Sequence, residues 1–168
     1  MTSMFRTGLL GLALLAVAAC ASTPPASERP ILHLDSAPEL HMQVEEAPES
    51  WDFIITGSGG IQPGYRVIHD GITFDVAVDK VRHVITYVST SDPAFRTADG
   101  VGVGTPVSDL RVDLERDLVE ERGWGSYVRL KSGWEAFVSE IQFEPGKGLE
   151  FLPVTGESRV IMFFKKCN

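Results

Sequence analysis

From Ser91 to Leu118 the chain reads S-D-P-A-F-R-T-A-D-G-V-G-V-G-T-P-V-S-D-L-R-V-D-L-E-R-D-L, and this stretch limits what the rest can fold into. Asp92-Pro93 ends a strand, and the glycine-spaced run Gly100-Val101-Gly102-Val103-Gly104 makes a turn and a short strand. A helix start follows. Thr105 is placed as an N-cap and Pro106 as the first helical residue, where its missing N–H costs nothing. Val107, Leu110, Leu114 and Leu118 recur at helical spacing and form one apolar stripe. Asp109 suits the positive end of the helix dipole. Strand-like runs on both sides predict that this helix packs across a sheet.

The runs on either side alternate as half-buried strands do. D-F-I-I-T stops at the flexible Gly57-Ser58-Gly59-Gly60, and Y-R-V-I-H is joined to I-T-F-D-V-A-V-D by Asp70-Gly71, a two-residue hairpin signal. Ile72, Phe74, Val76 and Val78 alternate with Thr73, Asp75, Ala77 and Asp79, one set for a core and one for water. Val81 to Ser89 is the next strand. Beyond the helix, S-Y-V-R-L-K, Ser132-Gly133 and W-E-A-F-V read as a second hairpin, with Ile141 to Phe143 continuing the sheet. L-E-F-L-P-V follows the turn at Pro145-Gly146-Lys147-Gly148, and R-V-I-M-F-F closes the chain as an apolar strand. The predicted class is α+β: a mostly antiparallel β-sheet with one main helix packed on it.

The N-terminus is of a different kind. Arg6 supplies a small positive region and Leu9 to Val17 a short apolar core, while Gly8 to Ala21 is too short to cross a bilayer. Small residues then lead into a cysteine, Val17-Ala18-Ala19-Cys20. These four residues resemble the lipobox of bacterial lipoproteins. The resemblance implies that the Cys20 thiol takes a diacylglyceryl group, that the leader 1–19 is cut just before it, and that the new N-terminus is acylated. The residue types fit that chemistry, since small side chains suit a peptidase cleft and a thiol is soft enough to alkylate. Several acyl chains anchor a protein stably where one does so marginally. In Gram-negative lipoproteins the residue after the cysteine helps to sort the protein, and Ala21 implies the outer membrane rather than retention at the inner one.

Residues 21–30, A-S-T-P-P-A-S-E-R-P, read as a semi-extended tether. Ile31 to Leu34 is a candidate short strand, and Asp35 to Ser50, with two Ala-Pro pairs and several glutamates, reads as loop or extended linker. The expected organisation is therefore a signal peptide at 1–19, a lipidated cysteine and Pro/Ala/Glu-rich tether at 20–50, and a single α+β domain at 51–168. Formal net charge is −8, and about −9 without residues 1–19, whose only charged side chain is Arg6. Dispersed acidity of that size argues against nucleic-acid binding and against a polybasic membrane surface. Thr97 to Leu110, T-x-x-G-V-x-V-G-T-P-x-S-D-L, also resembles a pattern of envelope-stress-regulated outer-membrane lipoproteins, a family without an established biochemical activity.

Motifs for chemistry are sparse. Gly100-x-Gly102-x-Gly104 has neither dinucleotide spacing nor a following G-K-[ST], so close packing explains it better than a phosphate cradle. Thr56-Gly57-Ser58-Gly59-Gly60 lacks the helix that a serine-hydrolase elbow requires directly after the serine. His33, His41, His69 and His83 show no metal spacing, although His69 beside Asp70 and His83 sit on strands that are candidate neighbours. Asp92, Asp99, Asp109 and Asp113 form no calcium loop. Trp124, Tyr127 and Trp134 are read as core in preference to an exposed stacking surface. Cys167 is the one thiol left once Cys20 is a thioether, so no internal disulfide is expected. No cofactor and no metal site is expected, and Cys20 is the one assigned site residue. The reading placed first is a non-enzymatic interaction module anchored in the envelope, contacting another envelope protein or the cell wall. Behind it stand a hydrolase assembled from dispersed residues such as Ser58, His69 and Asp70, and a small-ligand carrier with a cleft between helix and sheet.

Overall fold

The computed structural model describes residues 29–57, 60–139, 141–144 and 148–167, with 141–144 and 148–151 described by backbone alone. The strands are β1 (Asp52–Gly57), β2 (Gly60–His69), β3 (Ile72–Asp79), β4 (Val84–Thr90), β5 (Leu118–Glu121), β6 (Gly125–Arg129), β7 (Glu135–Ser139), β8 (Ile141–Glu144), β9 (Gly148–Phe151) and β10 (Met162–Lys166). Eight of them form one antiparallel sheet in the order β1-β2-β3-β4-β10-β7-β6-β5, curled into a half-barrel. β8 and β9 pair only with each other, so Ile141 to Phe143 forms a separate ribbon and does not continue the sheet. Asp70 and Gly71 have φ of 50° and 77°, the left-handed pair that a two-residue hairpin needs, and His69 sits opposite Ile72 as the turn predicts.

The last strand holds the centre. β10 lies between β4 and β7, and both Phe163 and Phe164 are fully buried although consecutive residues point to opposite faces. At these two positions neither face meets water. One face carries Val67, Phe74, Val76, Val88, Val128 and Phe163 and is covered by Phe95, Val101, Val107 and Leu110 from the stretch after β4. The other carries Ile54, Ala77, Tyr87, Tyr127, Phe137 and Phe164. The sheet curls toward this second face. A Cβ added at Gly57, at the end of edge strand β1, would lie 2.8 Å from Oε1 of Glu121 on edge strand β5 and 3.3 Å from Nζ of Lys166. Register shifts in β3–β4 and β6–β7 mark bulges, which bend and twist the strands that carry them.

The predicted main helix is not there, and the α+β class is corrected to a nearly all-β, antiparallel architecture. Val107–Asp109 makes a single 3-10 turn with Pro106 as its N-cap, and α1 (Leu114–Asp117) is four residues long. Three local causes are visible. The N–H groups of Gly104, Val107 and Ser108 donate to carbonyls of Val160, Ser158 and Gly156, so a second segment supplies their partners. Arg111 has φ of 53°, a left-handed position that stops the first turn. Asp113 then restarts a helix by accepting the N–H of Glu115, and Leu118 is already extended and paired with Val128. Thr105 is no helix cap, because its Oγ1 accepts the N–H of Gly102. Val107 and Leu110 are buried as predicted, but Leu114 and Leu118 are only half-buried.

Arg29–Ser50, expected within the tether, packs on the sheet. Leu32 donates its N–H to the Arg66 carbonyl, Val44 donates to His83, and both side chains are almost wholly buried. The segment runs alongside β2 at Ile31 and beside the start of β4 at Gln43, and Tyr65 Oη reaches the Pro48 carbonyl at 3.3 Å. It carries two isolated bridges instead of a strand, which is why its sequence lacks clear alternation.

Candidate functional site

Cys20 and Ser58, the proposed lipidation and nucleophile positions, lie outside the described residues. His69 and Asp70 sit at the β2–β3 turn, with His69 Nε2 3.5 Å from Asp70 Oδ2. His83 lies in the β3–β4 turn, at the opposite end of β3, so these two histidines do not meet. His33 and His41 are exposed on the N-terminal segment, and a His41 ring nitrogen comes within 3.8 Å of Cys167 Sγ. Burial pushes the Cys167 thiol up, which lowers its thiolate fraction at neutral pH. Among the described residues no three His, Cys, Asp or Glu side chains are grouped to hold a metal ion.

The glycine-spaced stretch keeps its amides for itself. Gly100 N–H donates to the Thr97 carbonyl, Val101 N–H to Thr97 Oγ1, Gly102 N–H to Thr105 Oγ1 and Gly104 N–H to the Val160 carbonyl. A phosphate cradle needs such groups free and convergent. The nearby carboxylates are also occupied in shaping turns. Asp99 accepts the N–H of Ser132 at 2.8 Å, and Asp92 accepts those of Thr73 and Ala94, which holds its carboxyl below the usual range.

A gathering of ionisable side chains lies on the concave face, where Tyr127, read from the sequence as core, is joined by Glu121, Glu135 and Lys166, which the sequence reading did not single out. Lys166 is bonded to Glu121, and Tyr127 Oη donates to Glu121 Oε2 at 3.3 Å. Lys166 Nζ also stands 5.5 Å from the Tyr127 ring centroid and 5.9 Å from that of Phe164. Burial first, then the charges of Glu135 and Glu121, push the Tyr127 phenol to about 12. Burial raises the Glu135 carboxyl as well, against the pull of Lys166 and Arg129. Around them Phe164 stacks with Tyr87 at 6.1 Å and meets Tyr127 and Trp124 edge-on at 5.0 and 5.9 Å. These contacts make the group a cross-braced interior in which the cation is already matched by carboxylates. The available signal in the sequence was an inward lysine at the end of an apolar strand together with glutamates at strand positions 121 and 135.

Trp124 and Tyr127 belong to this interior, and Trp134 lies against Phe95 with Lys165 Nζ 4.7 Å above its ring. Clefts open elsewhere. One, of ≈ 660 Å³, lies within the N-terminal segment between His33, Asp35, Met42 and Glu45. A second, of ≈ 500 Å³, runs between Asp99, Asp109, Arg111 and Lys131, where charges of both signs face one another. Neither has the enclosed apolar wall expected of a carrier.

One surface departs from the usual alternation. Where β1 pairs with the start of β2, three side chains facing away from the concave interior, Phe53, Ile55 and Ile61, are exposed by 62%, 56% and 64%, while Tyr65 and Val67 further along the same face of β2 are covered. Cross-strand register sets Phe53 beside Pro63 and Ile55 beside Ile61, and the Trp51 ring meets Phe53 edge-on at 5.0 Å. A solvent-facing side of a strand is ordinarily its polar side.

No protein-family model matches the chain, and no curated protein matches it. Among solved structures it is similar to the crystal structure of the uncharacterized protein YfeY from Escherichia coli, with 11% identity and a TM-score of 0.39, over 72% of this chain and 83% of that one.

Proposed function

We propose that this protein is a lipid-anchored component of the bacterial cell envelope, held at the outer membrane facing the periplasm, whose folded body is a non-enzymatic interaction module for an envelope protein or the cell wall. The observation that carries the reading is the apolar run Leu9 to Val17 leading into Val17-Ala18-Ala19-Cys20. Arg29, where the described fold begins, is only nine residues beyond Cys20. The non-enzymatic part draws support from the state of the groups that do converge. Lys166, Glu121 and Tyr127 satisfy one another, and the glycine-stretch amides have partners within the chain. The concave face, filled by Tyr87, Trp124, Phe137 and Phe164, gives no support to ligand carriage.

The test is metabolic labelling with a fatty acid in a bacterial host. The wild-type protein should take up label and fractionate with outer membranes, and Cys20→Ala should do neither. An unlabelled wild-type protein refutes the anchor.

A further inference from the structure

We infer that the outer face of the β1–β2 hairpin is a lipid-contacting surface, which lays the folded body against the bilayer that holds its anchor. The inference rests on the anchor proposed above and adds the orientation of the domain to it.

Its first ground is the inverted pattern of the hairpin. Ile54 and Thr56 of β1 face inward and are buried, yet the outward set Phe53, Ile55 and Ile61 is the more apolar one. With Trp51 and Pro63 these side chains are contiguous through the β1–β2 register and the Trp51–Phe53 ring contact. Contiguous exposed apolar surface marks an interaction site in a way that scattered single residues do not.

The second ground is where the described residues begin. Arg29 Nε is 3.8 Å from Asp52 Oδ2, on the first residue of β1, between Trp51 and Phe53. Nine residues separate Arg29 from Cys20, a contour no longer than roughly 30 Å even when fully extended. Asp52 points to the concave face with Ile54, opposite Phe53, so the contact fixes how near the described chain starts to the hairpin and not which face it leaves from. That span keeps the hairpin within about 30 Å of the proposed acyl chains.

The third ground is the chemistry of the rim. Lys80 Nζ lies 5.3 Å from the Trp51 ring centroid, and Arg82 follows in the same turn. Tryptophan and basic side chains are both enriched at membrane–water boundaries, the ring at headgroup depth and the cation near phosphate, and here the lysine stands over the ring. Two of the neighbouring carboxylates are engaged. Asp52 faces Arg29, and Asp79 accepts the N–H groups of Val81 and Arg82.

Tryptophan emission from the full-length lipidated protein, reconstituted in phosphatidylethanolamine–phosphatidylglycerol vesicles, tests this. Comparing wild type with Trp51→Phe isolates the Trp51 signal from Trp124 and Trp134. In vesicles whose acyl chains carry bromine, most of the Trp51 signal should be quenched. Ile55→Ser with Ile61→Ser, both at exposed positions away from Trp51, should restore it while fatty-acid label and the circular dichroism melt stay unchanged. Labelled, vesicle-bound protein with an unquenched Trp51 overturns the inference and leaves the anchor standing. So does sedimentation showing a dimer that the Ile55/Ile61 variant dissolves without any quenching in the wild type, since a second copy then covers the face. Absence of label removes the anchor, and this inference with it.

Discussion

Replacing Phe163 and Phe164 by alanine, one at a time, probes the architecture directly. In a sheet buried on one face, one of any two consecutive strand residues should be cheap to truncate, because alternate side chains point to opposite sides. Here both rings are fully buried, Phe163 against Phe95 at 5.4 Å and Phe164 among Tyr87, Trp124 and Tyr127. Truncating a buried phenylalanine costs about 3–5 kcal/mol, and each ring pair adds about 0.5–1.5 kcal/mol beyond area. Three such pairs place Phe164→Ala at the top of that range, near 5 kcal/mol, with Phe163→Ala about 4 kcal/mol. With a urea slope of about 2 kcal/mol/M, the midpoints should fall by roughly 2 M or more, as read by far-ultraviolet circular dichroism. Phe53→Ala, on the exposed hairpin face, should stay within about 0.5 kcal/mol. If either central phenylalanine costs less than about 2 kcal/mol, the face it points to is not covered, and the account of a curled sheet buried on both sides fails.

Glu135 should give a pH signature. Its carboxyl is raised by burial, so the folded state disfavours its charged form; stability is complete below the ordinary glutamate pKa and is lost as pH rises through the raised value. Glu135→Gln should therefore raise the melting temperature at pH 7.5 and lose that advantage below about pH 4, and a difference independent of pH would refute the assignment. Gly125→Ala should destabilise by more than about 2 kcal/mol in chemical denaturation, because its φ is 147° and the new Cβ would lie 2.4 Å from the Ser139 carbonyl oxygen and 2.5 Å from the Phe137 ring. Gly133→Ala, with φ of 81° and open space, should cost only the left-handed penalty of about 1–2 kcal/mol. Leu114→Ala, at a half-buried site on a four-residue helix, should cost about 1 kcal/mol in the same assay, and a loss of several would mean that the stripe carries more of the core than its exposure indicates.

What could be read from the chain followed the range of the forces involved. The Asp70-Gly71 hairpin was legible because its turn is decided by two residues. The β2 and β3 runs were legible because apolar and polar side chains alternate along them with a period of two, whereas β6 and β7, buried on both faces, were marked by their flanking glycine turns and by β-branched and aromatic residues. The helix was misread because Val107, Leu110, Leu114 and Leu118 do satisfy a helical period. The competing partners, carbonyls of Gly156, Ser158 and Val160, lie some fifty residues further along the chain. No local rule reports a left-handed Arg111. Of the concave cluster little was legible, since Glu121, Tyr127, Glu135 and Lys166 are brought together only by the closing of the sheet. Within Arg29–Ser50 only Ile31 to Leu34, which holds the buried Leu32, was read as a candidate strand; Asp35 to Ser50 was read from composition as loop or linker, and the buried Val44 there has no periodicity around it from which packing could be argued.

The reassignment of that segment changes the mechanics of the proposed anchor. A linker extending to Ser50 would place up to thirty residues between lipid and domain, with a contour on the order of 100 Å. With Leu32 and Val44 built into the core, only the nine residues from Cys20 to Arg29 are left. Arg29 is itself tied by Nη1 to Asp75 Oδ2 at 3.0 Å on β3, and Arg66 of β2 stands 3.9 Å from the other oxygen of that carboxylate. The described chain thus starts at a fixed point beside β1, and the proposed anchor would hold the body within a domain diameter of the bilayer. A tether that short and an apolar hairpin beside it act in the same direction. Shortening the span raises the effective concentration of the hairpin at the lipid surface, so a contact too weak to recruit the free domain can still orient the anchored one. Loss of the acyl chains should then release the hairpin as well, whereas loss of the hairpin contact should leave the anchor in place.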